Sequence, residues 1–257
     1  MKLKVFSLMK NSLLLLFFII TFSSFAQRQK SVNSEVWFGF MTSGQIAPKW
    51  SLWLDTHHVP DLFLILRGGL TYHTADQKFA LTAGYARLGL ATPFSEGSLI
   101  RPENRPWGQI VFRVPSKNNF SASFRYRHDM RYRANLTQTE VIDGFSLNHR
   151  LRFNVSLRYN WKNALSPHFN FSTTLFNESL FTQGPAPSSN PFEHRTFLLF
   201  SFQKKTVTFS PGYHIRFSLP TSNTLVINHG LFLWINVNYK FKDFRRHTLK
   251  EFPGDHI

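Results

Sequence analysis

Between Asn119 and Arg133, and again between Phe145 and Trp161, apolar and polar residues alternate one by one. In the first run Phe120, Ala122, Phe124, Tyr126, His128, Met130 and Tyr132 alternate with Ser121, Ser123, Arg125, Arg127, Asp129, Arg131 and Arg133. In the second, Phe145, Leu147, His149, Leu151, Phe153, Val155, Leu157, Tyr159 and Trp161 alternate with Ser146, Asn148, Arg150, Arg152, Asn154, Ser156, Arg158 and Asn160. A helix would scatter both sets around its circumference, whereas a strand puts them on opposite faces. Strands of soluble proteins average about 5–6 residues, and a tilted strand needs about 9–11 to cross a bilayer. Runs this long predict membrane-crossing strands.

The same period places further strands near 35–41, 49–57, 62–72, 78–90, 107–114, 168–178, 193–203, 206–218 and 227–241. With the two long runs that makes eleven. Single-chain bacterial barrels carry an even number, so one assignment is expected to be wrong, giving ten or twelve. Pro211 has no N–H for the ladder and predicts a bulge or bend in its strand. Tight connections near 74–77, 115–118, 162–167 and 204–205 are expected at one rim. Longer ones near 91–106, 134–144, 180–192 and 219–226, rich in Pro, Ser, Asn and Gly, are expected at the other, exterior rim. The pattern reads as an all-β fold: a single antiparallel transmembrane β-barrel of 10–12 strands in one domain.

The N-terminus sets the compartment. Lys2, Lys4 and Lys10 precede an apolar stretch from Ser12 to Ile20, and Ser24-Phe25-Ala26 offers small residues where a signal peptidase reads. The apolar stretch is too short for a spanning helix of about 20 residues, so cleavage after Ala26 is expected. No later window suits a spanning helix, so a mature chain that enters a membrane must close as a barrel. The expected organisation is a signal peptide over 1–26, a barrel over 27–241 and a polar tail over 242–257. The expected location is the outer membrane. The expected partners are outer-membrane lipid and the barrel-assembly machinery, which an aromatic such as Phe241 at the final barrel position would suit. A soluble periplasmic barrel with an interior ligand site is the alternative. The absence of cysteine excludes disulfides, thiol nucleophiles and cysteine zinc sites.

The formal charge is +16, and loss of the three leader lysines leaves +13. An arginine at the bilayer midplane on the lipid face costs about 2–4 kcal/mol. Arg150, Arg152 and Arg158 share one face, as do Arg125, Arg127 and Arg131. Both sets are therefore expected in the lumen, with Arg195 and Arg216. Glu103, Arg105, Asp129, Glu178 and Glu193 complete a candidate luminal charge network. Two readings stay open: a positive channel or binding site for small anionic solutes, or an Arg–carboxylate ladder that fills a closed structural barrel. Trp50, Trp53, Trp107, Trp161 and Trp234, with Tyr72, Tyr132, Tyr159 and Tyr239, are expected in interfacial belts. His57 and His58 are adjacent and point opposite ways, and His128, His149 and His229 fall singly on apolar faces. No catalytic, cofactor-binding or metal-ligating set stands out. A lipid-modifying enzyme would need a Ser and a His brought together with a third group orienting the His. Arginines one per two residues, behind a leader peptide, argue against nucleic acid as a partner.

Glu103-Asn-Arg-Pro-Trp107-Gly-Gln109, followed by Arg125-Tyr-Arg127, Arg131-Tyr-Arg133 and Arg158-Tyr159, resembles an uncharacterised family of Bacteroidetes barrel-like proteins, domain of unknown function 2490. Leu151-Arg152, Glu178, Glu193-His-Arg195, Gly84-Tyr85 and Gly212-Tyr213 fit its other elements. The resemblance spans nearly the whole mature chain. It implies an outer-membrane location and carries no established activity.

Overall fold

The computed structural model describes residues 29–92, 94–166, 169–185, 191–221 and 224–240. The expected signal peptide, the tail and Phe241 lie outside the described residues. Twelve β segments follow one another: β1 (Gln29–Ser34), β2 (Trp37–Ala47), β3 (Trp50–Val59), β4 (Phe63–His73), β5 (Phe79–Leu90), β6 (Arg101–Lys117), β7 (Phe120–Leu136), β8 (Val141–Ser166), β9 (Phe169–Gln183), β10 (Phe192–Lys204), β11 (Val207–Thr221) and β12 (Thr224–Lys240). From β2 to β12 each segment pairs antiparallel with the next.

The sheet closes in parallel. β12 takes β1 with Gln29 opposite Thr224, and takes β2 with Trp37 opposite Phe232. The two registers have the same offset, so β1 and β2 are halves of one strand interrupted at Glu35–Val36. The barrel thus has eleven strands, and each of the eleven predicted runs falls on one of them. The expectation of an even count was wrong. An even count is needed only when every pair is antiparallel, and a parallel seam lifts that requirement. An odd count also puts Gln29 and Lys240 at opposite rims. At the seam, Glu35 N–H donates to the carbonyl of His229 at 3.0 Å. A Cβ on Gly230 would overlap the Glu35 carbonyl oxygen, so the backbone crossing there needs glycine.

One rim carries connections at 48–49, 74–78, 118–119 and 205–206. Asn118, Gln77 and Lys205 adopt positive φ there. In the turn between β4 and β5, Thr74 Oγ1 donates to Asp76 Oδ1 at 2.6 Å and Lys78 N–H donates to the same oxygen at 3.1 Å. The Thr74 hydroxyl, then the Lys78 amide, hold that carboxyl below its ordinary range. The opposite rim carries the described stretches 60–62, 91–92, 94–100, 137–140, 184–185 and 191. The loop expected over 134–144 is reduced to 137–140. The loop expected near 219–226 is instead two strands running to Thr221 and starting at Thr224, because hairpin pairing continues across Thr221 and Thr224.

Alternation sorts the side chains as the arginine argument required. Ala122, Leu157, Leu175, Leu198, Tyr213 and Leu231 stand opposite one another from β7 round to β12, forming an apolar row on the outer wall. Phe38, Leu66, Phe124, Phe153 and Phe209 extend this exposed apolar wall. Three of the tryptophans expected in the belts do not lie there. Trp53, Trp107 and Trp234 are buried inside the barrel with Trp37, whereas Trp50 and Trp161 are exposed outside beside Tyr72 and Tyr159. His128 and His149 are not single either, since their ring nitrogens meet at 3.0 Å on the outer face.

Candidate functional site

Every second residue of β6 to β11 points into the barrel, and the luminal positions carry most of its charge. Among the described residues, eight arginines but only five carboxylates are buried. The carboxylates are each shared. Glu103 accepts from Arg105 and from Arg131 Nη2 at 2.9 Å and Arg133 Nε at 2.9 Å. Asp129 accepts from Arg127 Nε at 2.8 Å, with Arg105 at 3.9 Å and Arg152 at 3.7 Å. Glu178 accepts from Arg125 at 2.6 Å and Arg152 at 2.8 Å, with Arg195 at 3.8 Å. Glu193 pairs with Arg195, and Arg216 lies 3.9 Å away. Arg216 continues to Glu35 at 2.6 Å, which also meets His214 at 2.9 Å. The result is one continuous chain of ion pairs from the seam to β6. A separate pair joins Arg67 to Asp55 at 2.7 Å, with His57 at 3.5 Å.

Beside this chain lie two apolar clusters. One holds Trp37, Met41, Phe176, Phe197, Phe232 and Trp234 among others. The other holds Trp53, Ile65, Ala86, Leu88, Leu90 and Trp107. Phe63 packs against both, so the apolar filling is continuous across the interior. Barrels of modest strand number are filled by side chains rather than left open.

Toward the long-loop rim the filling stops at a cavity of about 80 Å³. Arg67, Arg105, Arg131, Arg150, Arg152, Arg195 and Arg216 line it, with one carboxylate, Glu193. Arg150 donates through Nε to Thr182 Oγ1 at 3.0 Å and has no ion pair among the described residues. Arg131 Nη1 is buried without a hydrogen-bond partner. A vestibule of about 580 Å³ adjoins the cavity and shares Phe94 and Arg216 with it.

The sequence profile of a family described as "Protein of unknown function (DUF2490)" matches residues 34–226. The chain belongs to the DUF2490 family. No curated protein matches it. A solved structure described as a NanC porin in a rhombohedral crystal form is similar at 12% identity, with a TM-score of 0.42. The match covers 70% of this chain and 86% of that one.

The geometry explains several motif residues of this DUF2490 barrel. Glu103, Arg105, Trp107 and Gln109 are spaced by two, so all four point inward, and all are buried. Trp107 sits between two partners. The Arg127 guanidinium lies 4.2 Å from its ring centroid on β7. Gly84 of the Gly84-Tyr85 motif underlies it on β5, where a Cβ would crowd the indole and overlap the carbonyl oxygen of Gly68. Gly84→Ala is expected to lower stability by about 1–3 kcal/mol through overpacking. Thermal unfolding of the folded barrel would check it, with Gly108→Ala, where a Cβ meets only ordinary contact, as control.

All thirteen residues named from the sequence stand on the luminal face. Arg105, Arg131, Arg150, Arg152, Glu193, Arg195 and Arg216 meet at the cavity. Glu103, Arg125, Arg127, Asp129 and Glu178 lie in the ion-paired layer. Arg158, opposite Ser121, lies toward the short-turn rim. Glu35, Asp55, Arg67, Arg133 and His214 were missed. Parity could have found Asp55, which is in phase with Ser51 and His57 on β3, and all three are buried.

Proposed function

We propose that this barrel sits in the outer membrane and holds small anions in its arginine-lined cup without conducting them. The membrane part rests on the apolar outer wall. A long, exposed apolar surface around a closed sheet is what hydrocarbon solvates and water does not. The binding part rests on one observation: the cavity has seven arginines to one carboxylate, with Arg150 unpaired. The ion-pair chain alone would favour a purely structural interior. A network built only to fill space gains little from a partly buried guanidinium with no carboxylate at ion-pair distance, since its desolvation is costly. Ser51 Oγ and His73 Nε2 meet at 2.9 Å inside the barrel but do not line the cup. Ser179 Oγ lies 2.9 Å from His194 Nδ1 on the outer wall, and among the described residues no third group holds the other ring nitrogen.

Phosphate titrated calorimetrically into the barrel in nanodiscs is expected to bind. Arg150→Gln is expected to weaken binding about tenfold or more, the scale of one charged hydrogen bond, without lowering thermal stability. Planar bilayers are expected to show no stepwise conductance from the native protein. Absence of phosphate binding, or indifference to Arg150→Gln, would contradict the anion seat. Regular conductance steps would contradict the closed interior.

A further inference from the structure

We infer that the occupant of the cup is an amphiphilic anion, an oxyanion head on a compact apolar body. This rests on the reading of the cup as an anion seat and adds the other half of the ligand.

The cavity wall is divided by strand. Arg105, Arg131, Arg150, Arg152, Arg195 and Arg216 come from β6, β7, β8, β10 and β11. Phe63, Ile65, Leu88, Leu90 and Phe94 come from β4, β5 and the loop that follows β5. Arg67 stands on the apolar side, but its Nε and Nη2 are committed to Asp55 at 2.8 and 2.7 Å. A bare inorganic anion in this space would gain guanidinium donors on one side. On the other it would lose water to side chains that return no hydrogen bond, which is unfavourable. A ligand with an apolar body turned toward Leu88 and Leu90 escapes that cost.

The size of the space agrees. A water needs about 10–15 Å³ by the measure used for such cavities, so the inner space of about 80 Å³ holds one tetrahedral oxyanion and little more. The vestibule beyond Phe94 is lined about equally by apolar side chains, among them Val36, Leu62 and Val226, and by polar ones, among them Asn33, Glu35, Asp61 and Asn228. An apolar body leaving the cavity past Phe94 meets Val36, Leu62 and Val226 on the apolar part of that wall. The head is a phosphate or a carboxylate in chemistry, since both suit a guanidinium fork.

The test is calorimetry on the native barrel in nanodiscs with inorganic phosphate, phenyl phosphate, phenylacetate and benzyl alcohol. Phenyl phosphate or phenylacetate is expected to bind about tenfold tighter than inorganic phosphate, and the better of the two identifies the head. Phe94→Ala is expected to remove that gain and leave inorganic phosphate unaffected. Equal affinity for phenyl phosphate, phenylacetate and inorganic phosphate would overturn the amphiphile and leave the anion seat standing. Benzyl alcohol binding as tightly as phenyl phosphate would also overturn it, since the charged head would then contribute nothing. If none of the anions binds, both readings fall together.

Discussion

Glu103→Gln is expected to destabilise the barrel by about 3–5 kcal/mol, the cost of removing one partner from a buried ion pair. Glu103 is fully buried and accepts from Arg105, Arg131 and Arg133. A neutral amide in its place leaves Arg131 and Arg133 without their counter-charge and Arg105 with only Asp129 at 3.9 Å, and its own NH₂ group points at donors. Against a total stability of about 5–15 kcal/mol, that is a fifth or more. The measurement is the urea midpoint of the lipid-reconstituted barrel, read by the shift in gel mobility between folded and unfolded chains. Glu140→Gln, on the exposed loop after β7, should not move the midpoint. A Glu103→Gln barrel as stable as the native one would show that the ion-pair chain is dispensable for folding.

Leu175→Arg is the second large effect. Leu175 stands mid-strand on the outer wall between Leu157 and Leu198. In hydrocarbon an arginine there costs about 2–4 kcal/mol at the bilayer midplane and much less near an interface. The same substitution at Trp50, close to a strand end on the same wall, should therefore cost about 1 kcal/mol or less from the membrane term. Refolding yield and urea midpoint in lipid vesicles separate the two sites. Equal tolerance at both would mean that the wall around Leu175 does not face lipid.

Much of this architecture is written in residue parity. The alternation across 119–133 and 145–161 gave β7 and β8 and sent Arg125, Arg127, Arg131, Arg150 and Arg152 inward, because one exposed arginine in lipid outweighs several well-placed leucines. β6 was read too short. Pro102 and Pro106 argue against a strand, yet the strand starts at Arg101. The ladder to β7 skips residues 105 and 106, so the missing N–H of Pro106 breaks no bond there. Trp53, Trp107 and Trp234 face inward, although position along the chain suggests the interfacial belts. Their phase said otherwise: Trp107 alternates with Glu103, Arg105 and Gln109, and Trp234 with Asn228 and Asn236. The interior needs bulk as well as charge, and large aromatics supply it. The parallel seam was not legible at all. It joins segments from the two ends of the chain, and nothing local distinguishes a strand that pairs in parallel from one that pairs antiparallel.

The central claim is that apolar side chains face lipid while the arginine-bearing face looks into a water-poor lumen. Because the sequence has no cysteine, single cysteines can be placed at will and each will carry one nitroxide. Labels at Phe124, Leu157, Leu175 and Leu198 in reconstituted vesicles are expected to collide readily with oxygen and hardly at all with a water-soluble nickel complex. Labels at Ser123, Ser156 and Thr174 are expected to lose that preference for oxygen. High nickel accessibility at the first four positions, or recovery of the folded chain as a water-soluble monomer, would contradict the account.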